Sequence, residues 1–270
     1  MLESISTKIF ADGADLDQIL RLSCDQRIKG FTTNPSLMWK AGLTDYSEFA
    51  RSLLERITDK PISFEVVADD AEHIGRQARV ISTWGGNVYV KVPVTTSKGE
   101  SLAPLIRALS DDGIRVNVTA LMTPGQVDVV ARALRDGAPS CVSVFAGRIA
   151  DAGVEPLPIM SQALEILESV APSAELIWAS PREVLNLVQA DSIGCHIITM
   201  TSDLIAKLAL LGKDLDTYSL ETVKMFHACR RRSGRCQMGV AGRSADDTGR
   251  AVAAAGSPRR VAASRERAAR

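Results

Sequence analysis

The sequence predicts a single (β/α)₈ TIM barrel followed by a disordered, basic C-terminal tail. Two patterns carry the fold: eight short β-rich runs recur between residues 8 and 199, and stretches with helical periodicity separate them. A length of 270 residues suits one such barrel, which typically takes about 250 residues. Apolar residues are 46% and charged residues 24% of the chain, which excludes a collagen-like or wholly disordered protein.

The predicted strands alternate with predicted helices along the whole barrel. In chain order the strands are Lys8–Asp12, Gly30–Thr33, Ile62–Val67, Asn87–Pro93, Ile114–Ala120, Ser140–Phe145, Glu175–Ser180 and Cys195–Thr199. The intervening stretches carry one apolar helical face, as residues 46–57 do. Thr123-Pro124 and Ser180-Pro181 each predict a helix start, because a hydroxyl N-cap precedes a proline at the first helical position. A last helix is expected over residues 219–226.

An open, doubly wound sheet is the alternative arrangement of alternating strands and helices. That fold typically has a glycine-rich first turn of the GxGxxG type. The first turn here reads Asp12-Gly13-Ala14-Asp15, so the barrel is favoured.

Charge is distributed unevenly, although the formal net charge is zero. Residues 228–270 hold eleven arginines, three acidic residues and no aromatic residue, which gives this segment a net charge of +8. Such a segment cannot bury enough apolar surface to offset its ordering entropy. We therefore predict a barrel domain over residues 1–227 and a disordered tail over 228–270. A basic tail can bind nucleic acid or a membrane, but without interleaved aromatics or helical periodicity we expect neither partner.

The sequence predicts a cytoplasmic protein and shows no cluster of metal ligands. No apolar run approaches 18 residues, and Met1–Phe10 lacks the basic and apolar stretches of a secretory signal. The five cysteines are odd in number and scattered, so we expect reduced thiols. The three histidines and the cysteines show no metal-ligand spacing.

Lys91 is the most informative of the polar residues in the predicted strands. It lies inside Val88-Tyr89-Val90-Lys91-Val92-Pro93, where its strand neighbours are apolar. In a barrel, polar groups at the C-terminal ends of strands converge on one mouth. Burial of a lysine amine favours its neutral form, which is the nucleophile of Schiff-base chemistry. The alternative interpretation is an edge-strand lysine in solvent.

Other strand ends supply carboxylates and hydrogen-bonding groups. Asp12 and Glu65 could divide general acid and base work, or each could form a salt bridge with Lys91. Thr119 could hold a water against Glu65. Asn34 and Asn117 each offer a donor and an acceptor, as a polyhydroxylated substrate requires, although asparagine at a strand end also favours a turn.

Two arginines that follow the sixth and seventh strands form a candidate anion clamp. Arg148 comes after the sixth strand, and Arg182 comes in Ser180-Pro181-Arg182 at a predicted helix N-terminus. Phosphate sites near the seventh and eighth strands recur in barrels. The alternative is a pair of surface arginines.

Taken together in chain order, these residues resemble the transaldolase family, in particular its small single-domain branch that includes the fructose-6-phosphate aldolases. The matching segments are Phe10-Ala11-Asp12, Gly30-Phe31-Thr32-Thr33-Asn34-Pro35-Ser36, Ser63-Phe64-Glu65-Val66-Val67, Val90-Lys91-Val92-Pro93, Asn117-Val118-Thr119, Ser143-Val144-Phe145-Ala146-Gly147-Arg148 and Ala179-Ser180-Pro181-Arg182. They cover the chain from about residue 8 to residue 226.

The resemblance implies a metal-free Schiff-base enzyme that acts on sugar phosphates and assembles as a homo-oligomer. By resemblance, Lys91 forms the imine, Asp12 takes the proton of the C4 hydroxyl, and Glu65 and Thr119 position the water. By resemblance, Asn34, Asn117 and Ser143 contact substrate hydroxyls and Arg148 binds the phosphate. Phe145, Ser180 and Arg182 complete the predicted substrate-binding set, although many relatives have a longer stretch between the serine of the seventh strand and the Pro-Arg that here follows Ser180 directly.

The resemblance also indicates the type of reaction. Aldolase members of the family carry glutamine at the position of Glu65 and tyrosine at the position of Phe145, so this chain has the transaldolase pair. We therefore expect transfer of a dihydroxyacetone unit from fructose 6-phosphate or sedoheptulose 7-phosphate to erythrose 4-phosphate, as in the pentose phosphate pathway. The alternatives are a fructose-6-phosphate aldolase, a transaldolase with another acceptor, and a sugar-phosphate-binding protein without catalysis.

Overall fold

The computed structural model is a closed, eight-stranded parallel barrel in the strand order β1-β2-β3-β4-β5-β6-β7-β8. It describes residues 2–33 and 45–233, with side chains up to residue 228 other than that of Glu3. The predicted (β/α)₈ barrel is confirmed, because each strand pairs in parallel with the next and β8 closes onto β1. Two compact units divide the chain, Met1–Lys213 and Asp214–Arg270. The first unit contains the whole barrel.

The strands match the eight predicted runs to within a few residues. They are β1 Lys8–Asp12, β2 Ile28–Thr32, β3 Ile62–Glu65, β4 Val88–Pro93, β5 Val116–Leu121, β6 Ser140–Val144, β7 Ala174–Trp178 and β8 Ile197–Thr201. Within the described residues the α-helices are α1 Leu16–Ser23, α2 Tyr46–Leu54, α3 Ala71–Ser82, α4 Ala103–Asp111, α5 Pro124–Leu134, α6 Ala146–Asp151, α7 Pro156–Val170, α8 Leu185–Ser192, α9 Ser202–Lys207 and α10 Leu215–Ser233. Short 3₁₀ helices span Leu2–Ser4 and Leu208–Leu210.

Side-chain caps fix where several helices begin. The predicted start at Thr123-Pro124 is confirmed: the Thr123 side chain accepts a hydrogen bond from the Gln126 N–H, and the Gln126 side chain caps the Thr123 N–H in return. Aspartates cap α1, α2 and α3 in the same way. The expected start at Ser180-Pro181 is wrong, because α8 begins four residues later at Leu185 and its N-cap position has no side-chain hydrogen bond.

Two buried apolar clusters hold the barrel unit. The larger one lies between the strands and the surrounding helices and includes Phe64, Val90 and Trp178. The smaller one gathers Phe10, Cys141, Ile177, Ala179 and Ile197 from β1, β6, β8 and the end of β7. Because side chains alternate along a strand, Phe10 and Ile197 share the faces of Asp12 and Thr199, and they form the apolar floor beneath these polar groups.

Close packing at this floor requires a glycine in β2. A Cβ atom at Gly30 would lie 2.5 Å from the ring of Phe10, which is too close for any side chain. The glycine therefore lets the Phe10 ring fill the barrel, and Thr32 follows two residues later on the same face.

The last helix is longer than expected, since α10 spans Leu215–Ser233 rather than residues 219–226. Residues 228–233, expected in the disordered tail, belong to this helix. The tail from residue 234 lies outside the described residues, so its disorder and the domain boundary at 227 remain predictions. No helix in the part of the chain that the structure describes is long and apolar enough to cross a membrane.

Candidate active site

A cavity of about 360 Å³ opens at the C-terminal mouth of the barrel. Eight of the residues selected from the sequence line it: Asp12, Glu65, Lys91, Thr119, Ser143, Phe145, Arg148 and Ser180. These residues come from six different strands or the loops that follow them. The barrel therefore brings together groups as far apart in sequence as residues 12 and 180.

Lys91 lies deep in this cavity and is only 8% exposed. Its strand, β4, is paired on both sides, with Glu65 and Asn117 as its register partners, so the edge-strand alternative is excluded. Lys91 Nζ lies 3.3 Å from Glu65 Oε2 and donates a hydrogen bond of 3.1 Å to the carbonyl oxygen of Thr33. The carboxylate can thus accept a proton from the lysine nitrogen without rearrangement.

Glu65 is half-buried beside Lys91, and two charged neighbours act on it. Burial raises the pKa of its carboxyl above the ordinary value, the charge of Lys91 and its hydrogen bond oppose that rise, and the charge of Asp12 adds to it. The backbone N–H of Glu65 donates a 2.6 Å hydrogen bond to the hydroxyl of Tyr46, whose ring packs edge-on against Phe64 and Trp84. The end of β3 is therefore held by the half-buried Tyr46.

Asp12 is the second carboxylate of the cavity, at the end of β1. Burial raises the pKa of its carboxyl, while the charge of Lys91 and a hydrogen bond from Thr32 lower it. The Thr32 hydroxyl donates to Asp12 Oδ1 at 2.8 Å. Among the described residues Asp12 forms no salt bridge, whereas Glu65 does, so the two carboxylates have different surroundings.

Thr119 presents a buried hydroxyl with no hydrogen-bond partner among the described residues. Its neighbour Ala120 has φ +67°, a left-handed conformation that is uncommon outside glycine, and the pairing of β5 with β6 shifts register at this point. Both residues line the cavity. A buried hydroxyl without a protein partner is available to an oxygen atom of a substrate or of a water.

The remaining predicted substrate-binding residues divide into three groups. Asn117 is fully buried and does not line the cavity: its amide donates to Ser63 Oγ at 3.1 Å and accepts from Ser143 Oγ at 2.7 Å. Ser143 does line the cavity, directly above this network. Asn34 lies outside the described residues.

The two arginines of the predicted anion clamp are in different situations. Arg148 lines the cavity, with its guanidinium carbon 4.9 Å from the centre of the Phe145 ring. Arg182 is exposed, does not line the cavity, and forms a salt bridge with Asp151, in which Nε lies 3.0 Å from Oδ1. Of these two arginines, only Arg148 lines the cavity.

Ser180 stands at the mouth in a strained conformation. Its φ of +59° is left-handed, and it lies close to the start of α6. A Cβ atom at Gly147 would lie 1.6 Å from the carbonyl oxygen of Ser180, so only glycine fits between α6 and this turn. The tight contact keeps Ser180 at the cavity and places Arg148, which follows Gly147, at its rim.

Sequence reasoning missed Thr32, Thr199 and Tyr46. Thr32 and Thr199 both line the cavity and are buried. Thr199 ends the predicted strand Cys195–Thr199, and Thr32 is the next-to-last residue of the predicted strand Gly30–Thr33, so the criterion that selected Asp12 and Lys91 applies to them as well. Tyr46 carries no such signal, because it starts a helix whose apolar face explains it.

Comparison with known proteins shows which protein family this chain is similar to. A sequence model described as transaldolase/fructose-6-phosphate aldolase matches residues 9–248, which extends beyond residue 226, where the recognised segments end. A probable transaldolase of Thermoanaerobacter sp. is 37% identical over 193 residues, 72% of this chain and 85% of that protein. Probable transaldolase 2 of Listeria monocytogenes is 33% identical over 201 residues, 74% of this chain and 88% of that protein.

Two solved structures with a similar fold have little sequence in common with this chain. A HpcH/Hpal aldolase/citrate lyase family protein from Burkholderia cenocepacia matches with a TM-score of 0.53 at 13% identity, covering 83% of this chain and 97% of that one. A dihydrodipicolinate synthase from Rhodopseudomonas palustris matches with a TM-score of 0.52 at 16% identity, covering 74% and 71%. At such identities the likeness concerns the fold alone.

Proposed function

Because the chain belongs to the transaldolase/fructose-6-phosphate aldolase family, we propose that it is a transaldolase that transfers a dihydroxyacetone unit through a Schiff base on Lys91. The donor is a ketose phosphate, fructose 6-phosphate or sedoheptulose 7-phosphate, and the acceptor is erythrose 4-phosphate. The observation that carries the proposal is the ion pair between buried Lys91 and half-buried Glu65, 3.3 Å apart in a cavity that Asp12 and Thr119 also line.

Imine formation needs a neutral amine and a route for water. Glu65 takes a proton from the Lys91 nitrogen, which then attacks the C2 carbonyl carbon of the donor. The carbonyl oxygen takes one proton from the attacking nitrogen and a second one back from Glu65 and leaves as water, so that a protonated imine remains on Lys91. The free hydroxyl of Thr119 faces the same cavity as Glu65 and holds that water as it leaves and when it returns.

Cleavage and transfer use the second carboxylate. Asp12 takes the proton of the C4 hydroxyl, the C3–C4 bond breaks, and its electron pair moves toward the imine to give an enamine on Lys91. The aldose phosphate leaves, and C3 of the enamine then attacks the aldehyde carbon of the acceptor. The acceptor oxygen takes the proton back from Asp12, and water hydrolyses the new imine. The raised pKa of Asp12 suits a group that holds this proton between the two half-reactions.

The aromatic ring of Phe145 favours transfer over simple aldol cleavage. It lines the cavity beside Arg148 and has no hydroxyl that could protonate the enamine. The enamine then persists until an aldehyde acceptor arrives. A tyrosine at this position, as in the aldolase members, would add such a proton donor.

Arg148 is the proposed phosphate ligand at the cavity rim. Arg182 can join it only if its salt bridge with Asp151 opens, since at present that carboxylate neutralises it. Asn34 and Ser180 are further proposed contacts to the substrate, with Asn117 acting through Ser143. A cytoplasmic location, a homo-oligomeric state and the absence of nucleic-acid and membrane partners are also part of the proposal.

The deciding assay is release of glyceraldehyde 3-phosphate from fructose 6-phosphate with and without erythrose 4-phosphate. A transaldolase releases it only when the acceptor is present. Release without any acceptor would instead establish an aldolase. Borohydride added with fructose 6-phosphate should inactivate the wild type irreversibly by reducing the imine. It should leave no reduced adduct on Lys91→Met, while Lys29→Met, an exposed strand lysine, should be trapped like the wild type.

A further inference from the structure

Two buried threonines connect the second carboxylate to the opposite strand. Thr32 on β2 and Thr199 on β8 flank β1 and are 2% and 7% exposed. Their hydroxyl oxygens lie 2.5 Å apart, and Thr32 Oγ1 lies 2.8 Å from Asp12 Oδ1. All three side chains line the cavity above the apolar floor that Phe10 and Ile197 form.

The number of protons available sets the direction of this chain of hydrogen bonds. A threonine hydroxyl has one hydrogen atom. Thr32 donates it in a hydrogen bond to Asp12 when the carboxyl is ionised. The bond between the two threonines must then run from Thr199 to Thr32. When Asp12 carries a proton, its O–H can donate to Thr32, and Thr32 can donate to Thr199. Rotation of the two threonine hydroxyl groups is enough to switch the hydrogen bonds from one direction to the other. The threonines neither gain nor lose a proton.

We propose that Thr199 is a positioning residue that acts on Asp12 through Thr32, so that the threonine pair follows the protonation state of Asp12 during the reaction. The inference rests on the proposed function, in which Asp12 takes and returns one proton per cycle. The charged groups that act on Asp12 are Lys91 and Glu65 across the cavity, and none of the variants described below replaces either of them. A change confined to the threonines therefore reports on the hydrogen bonds alone.

A double-mutant cycle distinguishes this chain from ordinary packing. Thr199→Val keeps the shape and removes the donor, and we expect kcat to fall about fivefold, the equivalent of one neutral hydrogen bond. Thr32→Val removes the direct bond to Asp12 and should cost more. In the Thr32→Val background, Thr199→Val should not lower kcat further, because the Thr32 hydroxyl through which Thr199 acts on Asp12 is absent. Additive losses in the double variant would overturn the proposal.

The pH profile gives a second readout that packing would not change. Donated hydrogen bonds favour the ionised carboxyl, so their loss raises the pKa of Asp12. The acid limb of kcat/KM should therefore move to higher pH in Thr199→Val and return to the wild-type position in Thr199→Ser. Thr201→Val is the matched control, since Thr201 is exposed on the same strand and does not line the cavity, and its profile should not move.

A direct titration separates this inference from the proposed function. The pKa of Asp12 can be followed by NMR in the unliganded protein with ¹³C-labelled aspartate, assigned with Asp12→Asn, whether or not the protein has transaldolase activity. A higher pKa in Thr199→Val than in the wild type supports the threonine chain, and an unchanged pKa refutes it. If Thr199→Val does not fold, Thr199→Ala gives the same comparison.

Discussion

The charge of Lys91 should contribute to stability as well as to chemistry, and Lys91→Met tests this. At 3.3 Å and an effective dielectric constant of about 20, the attraction between Lys91 and Glu65 is about 5 kcal/mol before desolvation is subtracted. Removing one partner of a buried pair typically costs about 3–5 kcal/mol. Methionine keeps most of the side-chain length, so packing changes little. In a domain of this size, that loss lowers the melting temperature by roughly 10 °C.

The loss should depend on pH in a defined direction. The pKa values of Glu65 and Asp12 are raised in the folded protein, and Lys91 opposes both rises. Without Lys91 they rise further, so the folded state holds protons that the unfolded state has released. A carboxyl with a raised pKa destabilises the fold as pH increases through that pKa. The difference between Lys91→Met and the wild type should therefore be small at acidic pH and grow toward neutral pH.

Thermal unfolding by circular dichroism at several pH values measures this effect. The matched control is Lys29→Met, which removes an exposed lysine from β2 and should follow the wild type throughout. A melting temperature for Lys91→Met equal to that of the wild type at neutral pH, or a difference that does not change with pH, would refute the electrostatic account of this pair.

Three further outcomes follow from the site. Thr119→Val removes a buried hydroxyl that has no hydrogen-bond partner in the described part of the chain. We therefore expect stability to urea to rise by about 1 kcal/mol while imine trapping by borohydride slows, and a loss of stability would contradict this. Gly147→Ala places a methyl group against the carbonyl oxygen of Ser180 and should destabilise the protein by more than about 3 kcal/mol. Gly125→Ala, in open space on α5, should be neutral or slightly stabilising in the same urea titration. Arg148→Gln should raise KM for fructose 6-phosphate at least about tenfold with a smaller change in kcat, and an unchanged KM would remove Arg148 from the phosphate site.

Much of the fold could be predicted because its signals are local. Each strand is a short apolar run, and the alternation of strands and helices gives the barrel without knowledge of any contact. Thr123-Pro124 marks a helix start because the cap and the proline are adjacent in sequence. Ser180-Pro181 shows the same local pattern, yet α8 begins at Leu185. The left-handed conformation of Ser180, packed against Gly147, takes the chain away from the expected start, and that contact spans 33 residues.

The chemical character of the site could also be predicted in part. Lys91 was identifiable as a charged residue in an apolar strand, and Asp12 and Glu65 as carboxylates at strand ends. The partner of each group was not identifiable. The sequence left salt bridges to Lys91 open for both carboxylates, and the structure places Glu65 in that bridge while Asp12 bonds to Thr32.

The sequence by itself determined the barrel, the lysine strand and the set of polar residues at the mouth, because strand and helix periodicity and the order of motifs are written along the chain. The tertiary structure decided which polar groups meet. It buried Asn117 beneath Ser143, paired Arg182 with Asp151, and joined Thr32 to Thr199 across 167 residues. Hydrogen bonds and ion pairs depend on distances of about 3 Å between atoms, and closure of the barrel fixes those distances for residues that no local pattern connects.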